Sequence, residues 1–174
     1  MNVLKKIIRF LDNLLIKFEV IVLSWSIIII SIMTFGNVVN RQITGRSWSF
    51  AAEISEISII MATFVGISYA ARKGRHISMS AFFDMAPKKI KKFLSIVNPL
   101  VTAIMLFVLS YYAYEYTAGQ TRVTSSLEIP YWMMVGIMPI GFFLGGVQFL
   151  RNMWVNIVNE EVYLAQDKKD YDEQ

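Results

Sequence analysis

The sequence contains no cysteine and a single histidine, His76, among its 174 residues. Without cysteine the chain has no disulfide and no thiolate metal ligand, and one histidine cannot form a metal site by itself. No nucleophile–base pair, phosphate-binding loop or cluster of metal-ligand residues is evident in the sequence. We therefore expect no enzymatic activity and no bound cofactor or metal.

Charged residues are missing from three stretches of 21 or 22 residues, 20–40, 93–114 and 129–150. About 20 apolar residues span the hydrocarbon core of a bilayer. A fourth stretch, 57–71, has 15 residues without charge, and it reaches spanning length over about 51–71 if Glu53 and Glu56 lie inside the span or at its rim. The composition, 55% hydrophobic with a mean hydropathy of +0.48, is too apolar for an ordinary soluble domain. The sequence predicts an all-α integral membrane protein with four transmembrane helices.

Positive charge is distributed unevenly around the four predicted spans. Lys and Arg number four before the first span, seven between the second and the third, and three after the fourth. The two remaining loops hold only Arg41, Arg46 and Arg122. Because loops rich in Lys and Arg stay on the cytoplasmic side, this split of 14 against 3 predicts that both termini are cytoplasmic. Membrane orientation also explains the isoelectric point near 9.3, so we expect no nucleic acid partner.

Two segments outside the spans combine apolar and basic residues, as helices that lie in the membrane plane do. Residues 1–19 carry apolar side chains at three- and four-residue steps, and the alternative is a cytoplasmic extension of the first span. Residues 76–92 mix apolar side chains with lysines, and the alternative is a solvated basic loop. A four-helix membrane domain over 20–156 and a charged, disordered cytoplasmic tail over 157–174 complete the predicted organisation. We expect lipid headgroups to contact Arg72, Lys73, Arg75, His76, Lys88 and Lys89.

The second and fourth spans carry small residues at a spacing of four: Ser58, Ala62, Gly66 and Ala70 in the second, and Gly141 and Gly145 in the fourth. Such a spacing lets another helix come close, which is the usual packing device where lipid removes the hydrophobic drive. These residues are predicted to pack helices within this chain or against a partner subunit. Pro139, in the fourth span, predicts a kink near its middle.

Glu53 and Glu56 are the acids nearest to a membrane interior, three residues apart on one face of the second span. Intramembrane acids are candidates for function because lipid makes them costly. One interpretation is that they make polar contacts with a partner protein. The other is that they lie at the water interface, where the helix dipole and solvent satisfy them.

Several short motifs follow one another along the chain: Trp48 with Glu53, Gly66 followed by the basic run 72–77, and the segment 126–132 leading to 139–142. In this order they resemble the small membrane subunit, the DctQ-like or SiaQ-like component, of tripartite ATP-independent periplasmic (TRAP) transporters. The resemblance covers roughly residues 20–156. The sequence departs from the pattern at Glu128, where we expect glycine or another small residue.

The resemblance implies a complex in a bacterial inner membrane that imports an organic acid, a sialic acid or a C4-dicarboxylate, with a sodium gradient. A large membrane subunit would hold the substrate and sodium sites and move as an elevator, while a soluble periplasmic protein delivers the substrate. The small subunit would be a scaffold that braces the large one. This implies a subunit interface at Glu53, Glu56, Ser58, Ala62, Gly66, Ala70, Gly141 and Gly145. Docking of the periplasmic protein is expected at Arg41, Arg46, Arg122 and Glu128.

A different class of protein, the self-contained four-helix exporter that acts as a homodimer, has the same number of helices. Such exporters depend on an acid deep in the first helix. Residues 20–40 contain none, which argues against that alternative.

Overall fold

The computed structural model describes residues 2–73 and 87–159, with the side chains from residue 14 onward except that of Lys73. This part of the chain forms α1 (Asn2–Thr44), α2 (Ser49–Lys73), α3 (Lys88–Ala118), the short α4 (Tyr131–Val135) and α5 (Ile137–Val158). Four stretches are long and apolar enough to cross a membrane: Leu14–Thr44, Ser49–Arg72, Lys88–Ala118 and Tyr131–Val158. The predicted all-helical class with four candidate spans is confirmed. The orientation and the in-plane segments stay predictions.

Helix α1 is continuous over 43 residues, so the backbone does not change at residue 20, where the first span was predicted to begin. Gly45 follows its last residue with φ 72°, and the Gly45 amide donates to the carbonyl oxygen of Arg41 at 3.0 Å. Glycine suits this left-handed position because it has no Cβ to clash with the backbone. Where the bilayer begins along α1, and hence the predicted boundary of an N-terminal segment, stays a prediction.

Polar side chains near the end of α1 hold the connection to α2. The Oδ1 of Asn37 accepts a hydrogen bond from the Trp48 amide at 2.7 Å, and Nδ2 of Asn40 donates to the carbonyl oxygen of Arg46 at 2.6 Å. A methyl group added at Gly36 would lie 2.9 Å from Cζ3 of Trp48, so the indole packs directly on the α1 backbone. The polar side chains at the end of the first span therefore hold the α1–α2 connection in place by hydrogen bonds.

The chain divides into two compact units. One consists of Met1–Gly66 and Glu115–Met138, and the other of Ile67–Tyr114 and Pro139–Gln174. In the second unit, buried Ala71, Ala103, Leu106 and Phe149 form a core, against which pack Ile67, Phe107, Phe142 and Leu150.

Glycines of α5 allow close packing inside this second unit. A methyl group added at Gly145 would lie 2.8 Å from Cγ2 of Ile67 and 3.4 Å from Cδ1 of Leu106. One added at Gly146 would lie 3.0 Å from two ring carbons of Phe107. Since carbon atoms in contact stay about 3.5–4.0 Å apart, neither position accepts a larger residue without movement of its neighbours.

The fourth candidate span is interrupted at Gly136, between α4 and α5, three residues before Pro139, the residue that predicts a kink. A proline has no N–H to donate to the carbonyl four residues earlier, and its ring crowds that carbonyl, which here belongs to Val135, the last residue of α4. The interruption therefore lies in the turn before Pro139, where a proline disturbs a helix, while Gly136 keeps a helical backbone with φ −60° and ψ −18°. The carbonyl oxygen of Pro139 accepts a hydrogen bond from Oγ of Ser110 at 2.8 Å.

Candidate functional site

The α3–α4 loop, residues 119–130, closes on itself as a short hairpin. Val123 and Pro130 form an antiparallel bridge. The Thr124 amide donates to the carbonyl oxygen of Ile129 at 2.9 Å, and the Ile129 amide donates back to Oγ1 of Thr124 at 3.1 Å. The Tyr131 amide closes the base by donating to the carbonyl oxygen of Arg122 at 2.9 Å. The two arms of the loop are thus joined along their length.

The carboxylate of Glu53, from the start of α2, fixes the tip of this loop. Its Oε1 accepts the Ser126 amide at 2.7 Å, and its Oε2 accepts the Leu127 amide at 2.9 Å. Hydrogen bonds to an ionised carboxylate are stronger than neutral ones, and two consecutive amides define the position of the loop. Glu53 is therefore engaged within its own chain. Its contact with a partner subunit stays a prediction.

A second contact links the base of the loop to α2. The Tyr131 hydroxyl donates to Oε1 of Glu56 at 3.3 Å, and the guanidinium carbon of Arg122 lies 3.9 Å from the centre of the Tyr131 ring. A cation at this distance is attracted by the face of the ring. Both acids of α2 and Arg122 of the loop thus have partners in this chain.

Glu128 has a backbone conformation that explains why a small residue is expected at its position. Its φ is 53°, and among the described residues it alone combines a positive φ with a side chain. Glycine takes this conformation freely, whereas an L residue brings its Cβ too close to the backbone. This is the position where the family resemblance led us to expect a small residue. The Glu128 side chain is exposed, and its carboxylate makes no hydrogen bond or ion pair with the rest of the described chain.

The other residues predicted for docking lie at the α1–α2 connection. Arg41 is in the last turn of α1, Arg46 follows Gly45, and both are exposed. Within the described part of the chain, no hydrogen bond or ion pair joins either arginine to Arg122 or Glu128. Their joint use by a partner stays a prediction.

The small residues predicted for an interface lie partly or wholly inside the chain. Ser58 is buried, and its Oγ donates to the carbonyl oxygen of Ile54 at 2.8 Å. Ala62 and Ala70 are half-buried, while a methyl group at Gly66 would make an ordinary 3.6 Å contact with Cδ2 of Leu23. Gly141 is buried, as is Gly145. Packing of these positions against a partner subunit stays a prediction.

The residues expected at lipid headgroups divide into three groups. Lys88 and Lys89 are exposed at the start of α3. Arg72 is only 3% exposed, so protein encloses this guanidinium and its contact with headgroups is disfavoured. The side chains of Lys73, Arg75 and His76 lie outside the described residues.

Helix α5 also carries a buried column of side-chain amides that we did not predict from its sequence. Gln148, Asn152 and Asn156 follow at four-residue steps and are buried. Nδ2 of Asn152 donates to the carbonyl oxygen of Ala71 at 2.9 Å, and Nδ2 of Asn156 donates to that of Asn152 at 3.0 Å. Ala71 lies two residues before Lys73, the last described residue of α2, so Asn152 joins α5 to this part of α2. Polar residues at helical spacing in an otherwise apolar span were the available signal.

The described residues contain no group of three or more His, Cys, Asp or Glu side chains that could hold a metal ion. The profile of the DctQ component of tripartite ATP-independent periplasmic transporters matches residues 30–159. The chain belongs to this family. It is a small permease subunit of a TRAP transporter, a multi-pass protein of the inner membrane without enzymatic activity, and the resemblance drawn from its motifs is confirmed.

A curated relative agrees with this assignment. The chain is 37% identical over 158 residues to the ectoine TRAP transporter small permease protein TeaB of Halomonas elongata. The alignment covers 89% of this chain and 82% of the relative. Membership of a TRAP system implies a large permease subunit and a periplasmic binding protein as partners.

Proposed function

We propose that this subunit is a static brace for the large membrane subunit of a sodium-driven TRAP transporter. The observation that carries the proposal is that both acids of α2 accept hydrogen bonds from within the chain. Glu53 accepts them from two loop amides, and Glu56 accepts one from the Tyr131 hydroxyl. A carboxylate that couples ion movement to transport must be able to exchange partners, and these two support the loop instead.

A brace needs surface for its partner and for lipid, and α1 supplies it. Large apolar side chains more than half exposed recur at intervals along this helix: Phe18, Trp25, Ile32 and Phe35. Exposed apolar side chains on a candidate span suit contact with lipid tails or with another membrane helix. This surface supports a chain that enlarges the fixed part of a membrane complex.

The proposed orientation, with both termini cytoplasmic, puts the α1–α2 connection and the α3–α4 loop on the periplasmic side. Arg41, Arg46, Arg122 and Glu128 then face the compartment from which a soluble binding protein arrives. Charged groups at the rim of an interface steer such encounters and mainly affect the association rate. We therefore assign docking of the binding protein to these two connections.

We propose an organic acid as the transported substrate, in keeping with the sialic acid or C4-dicarboxylate that the resemblance implies. The relative TeaB is named for ectoine, which extends the set of compounds to test. The assay is uptake into proteoliposomes that contain the purified membrane complex, with each compound bound to the binding protein and a sodium gradient applied. Uptake of one compound that requires the gradient would support the proposal, and uptake independent of sodium would contradict it.

Affinity purification of this chain from its native membrane, followed by mass spectrometry, tests the bracing function directly. We expect a large membrane protein in the eluate in stoichiometric amount. A chain that purifies alone as a homodimer and transports by itself would contradict the proposal.

A further inference from the structure

The α3–α4 loop carries two charged residues, Arg122 and Glu128. The guanidinium of Arg122 lies over the Tyr131 ring and is used to hold the base of the loop. Glu128 is exposed, and its carboxylate contacts no polar group among the described residues. The loop therefore presents a single charge that its own folding does not use.

Glu128 also has the backbone conformation that suits it least, with φ 53°. Glycine would adopt the same conformation without strain, so the fold of the loop does not require a glutamate here. Strained residues that persist because surrounding contacts fix them are concentrated at binding and active sites. The strain, together with an unused carboxylate, indicates that the side chain has a use outside this chain.

The surrounding contacts are those of Glu53 and Thr124. Glu53 accepts the amides of Ser126 and Leu127, the two residues immediately before Glu128. Thr124 forms hydrogen bonds with both polar backbone groups of Ile129, the residue immediately after Glu128. Glu128 is thus held from both sides, and its carboxylate projects from a fixed backbone.

We propose that Glu128 is a recognition residue for the soluble periplasmic binding protein, where it pairs with a cationic side chain of that protein, and that Glu53 is the positioning residue that presents it. The loop joins the ends of two candidate spans and lies outside both, so a soluble partner reaches it from water. A preorganised loop loses little conformational entropy when it binds, which favours recognition by a fixed charge. This inference rests on the proposed function, because it requires that the binding protein docks on this subunit.

The test uses the complete membrane complex in nanodiscs and the purified binding protein, with docking measured by surface plasmon resonance at low and at physiological salt. Glu128→Gly removes both the charge and the strain, Glu128→Asp keeps the charge, and Glu53→Gln loosens the tip of the loop. Glu115→Gln, which removes an exposed acid near the end of α3, is the matched control. Thermal unfolding of each variant complex is measured in parallel.

We expect Glu128→Gly to weaken docking about two- to fivefold at low salt, the effect of losing one exposed ion pair, with a smaller effect at physiological salt. The same variant should unfold at an equal or higher temperature, because glycine relieves the strain. Glu128→Asp should retain most of the affinity, and Glu115→Gln all of it. Glu53→Gln should weaken docking although Glu128 is intact, and should add little when combined with Glu128→Gly.

Unchanged docking by Glu128→Gly, in a complex whose wild type binds, would overturn the inference and leave the proposed function standing. Failure of the wild-type complex to bind the binding protein would instead contradict the proposed docking itself. Loss of the large subunit from the purified Glu128→Gly complex would assign the carboxylate to a contact between the membrane subunits. A lower unfolding temperature for this variant would overturn the argument from strain.

Discussion

The close packing at Gly145 allows a prediction whose size can be worked out from distances. In Gly145→Ala the new methyl group would lie 2.8 Å from Cγ2 of Ile67, and the β-branched Ile67 has little rotamer freedom in a helix. Such overpacking costs about 1–3 kcal/mol, while alanine regains up to about 1 kcal/mol of helix propensity over glycine. We therefore expect a net loss of about 0–2 kcal/mol in the free energy of unfolding, which leaves Gly145→Ala about 1–3 kcal/mol less stable than a variant that gains the same helix propensity without overpacking.

Gly66→Ala is the matched control for this prediction. Its methyl group would make an ordinary contact of 3.6 Å with Cδ2 of Leu23, so the gain in helix propensity is not offset. We expect this variant to equal the wild type or to exceed it by up to about 1 kcal/mol. The contrast between the two substitutions, and not either value alone, tests the packing.

Thermal unfolding of the purified subunit, followed by intrinsic tryptophan fluorescence, measures the contrast. For a chain of this length about 1 kcal/mol corresponds to a shift of about 2–4 °C in Tm. Gly145→Val adds two further methyl groups and should lower Tm more than Gly145→Ala. Equal Tm values for Gly145→Ala and Gly66→Ala would refute the reasoning, because the short distance to Ile67 would then have no energetic consequence.

Three further predictions concern other contacts. Asn152→Leu removes the hydrogen bond to the Ala71 carbonyl and should destabilise the subunit by about 1–3 kcal/mol. Its control, Asn159→Leu, removes a bond to the preceding helical turn and should have a smaller effect on Tm. Gly66→Leu should reduce co-purification of the large subunit, while Gly66→Ala should not; normal assembly and transport by both would remove this position from the interface. Arg46→Glu should impair substrate uptake with the membrane complex intact, and normal uptake would make Arg46 an ordinary surface residue.

The candidate spans could be predicted from sequence because lipid excludes charge. The charge-free stretch 20–40 lies inside the candidate span Leu14–Thr44, and 93–114 lies inside Lys88–Ala118. Each helix extends beyond the stretch, because backbone hydrogen bonding in a helix continues through charged residues that reach water. Hydrophobic runs therefore predict that a span exists better than they predict where its helix ends.

The site itself could be predicted only in part. Glu53 was selected because it stands near a membrane, but its partners Ser126 and Leu127 are more than 70 residues away in sequence. Periodicity describes neighbours along one helix and carries no information on such a contact. Glu128 was flagged by comparison with the family pattern, and its positive φ supplies the physical reason that composition could not.

Arg72 shows a limit of reasoning from charge alone. A basic residue beyond an apolar run predicts an exposed end, yet Arg72 is buried at 3% exposure. Packing of the chain around the whole side chain, which the sequence position does not reveal, decides its burial. The side-chain amides of Gln148, Asn152 and Asn156 on α5 could have been predicted to be buried. Their four-residue spacing marks one face of a helix, and such a polar face in an apolar span indicates partners inside the protein.

Several polar side chains of the described residues bind backbone groups of other segments, and these contacts bear on the proposed use of the chain as a brace. Backbone groups that lack a partner within a helix need one elsewhere, and lipid offers none. Asn152 donates to the Ala71 carbonyl of α2, and Asn37 and Asn40 fix the connection after α1. Glu53 fixes the α3–α4 loop by accepting two of its backbone amides. Connections held in this way resist bending, whereas the proposed partner must move, so the fixed ends favour the small subunit as the stationary part of the transporter.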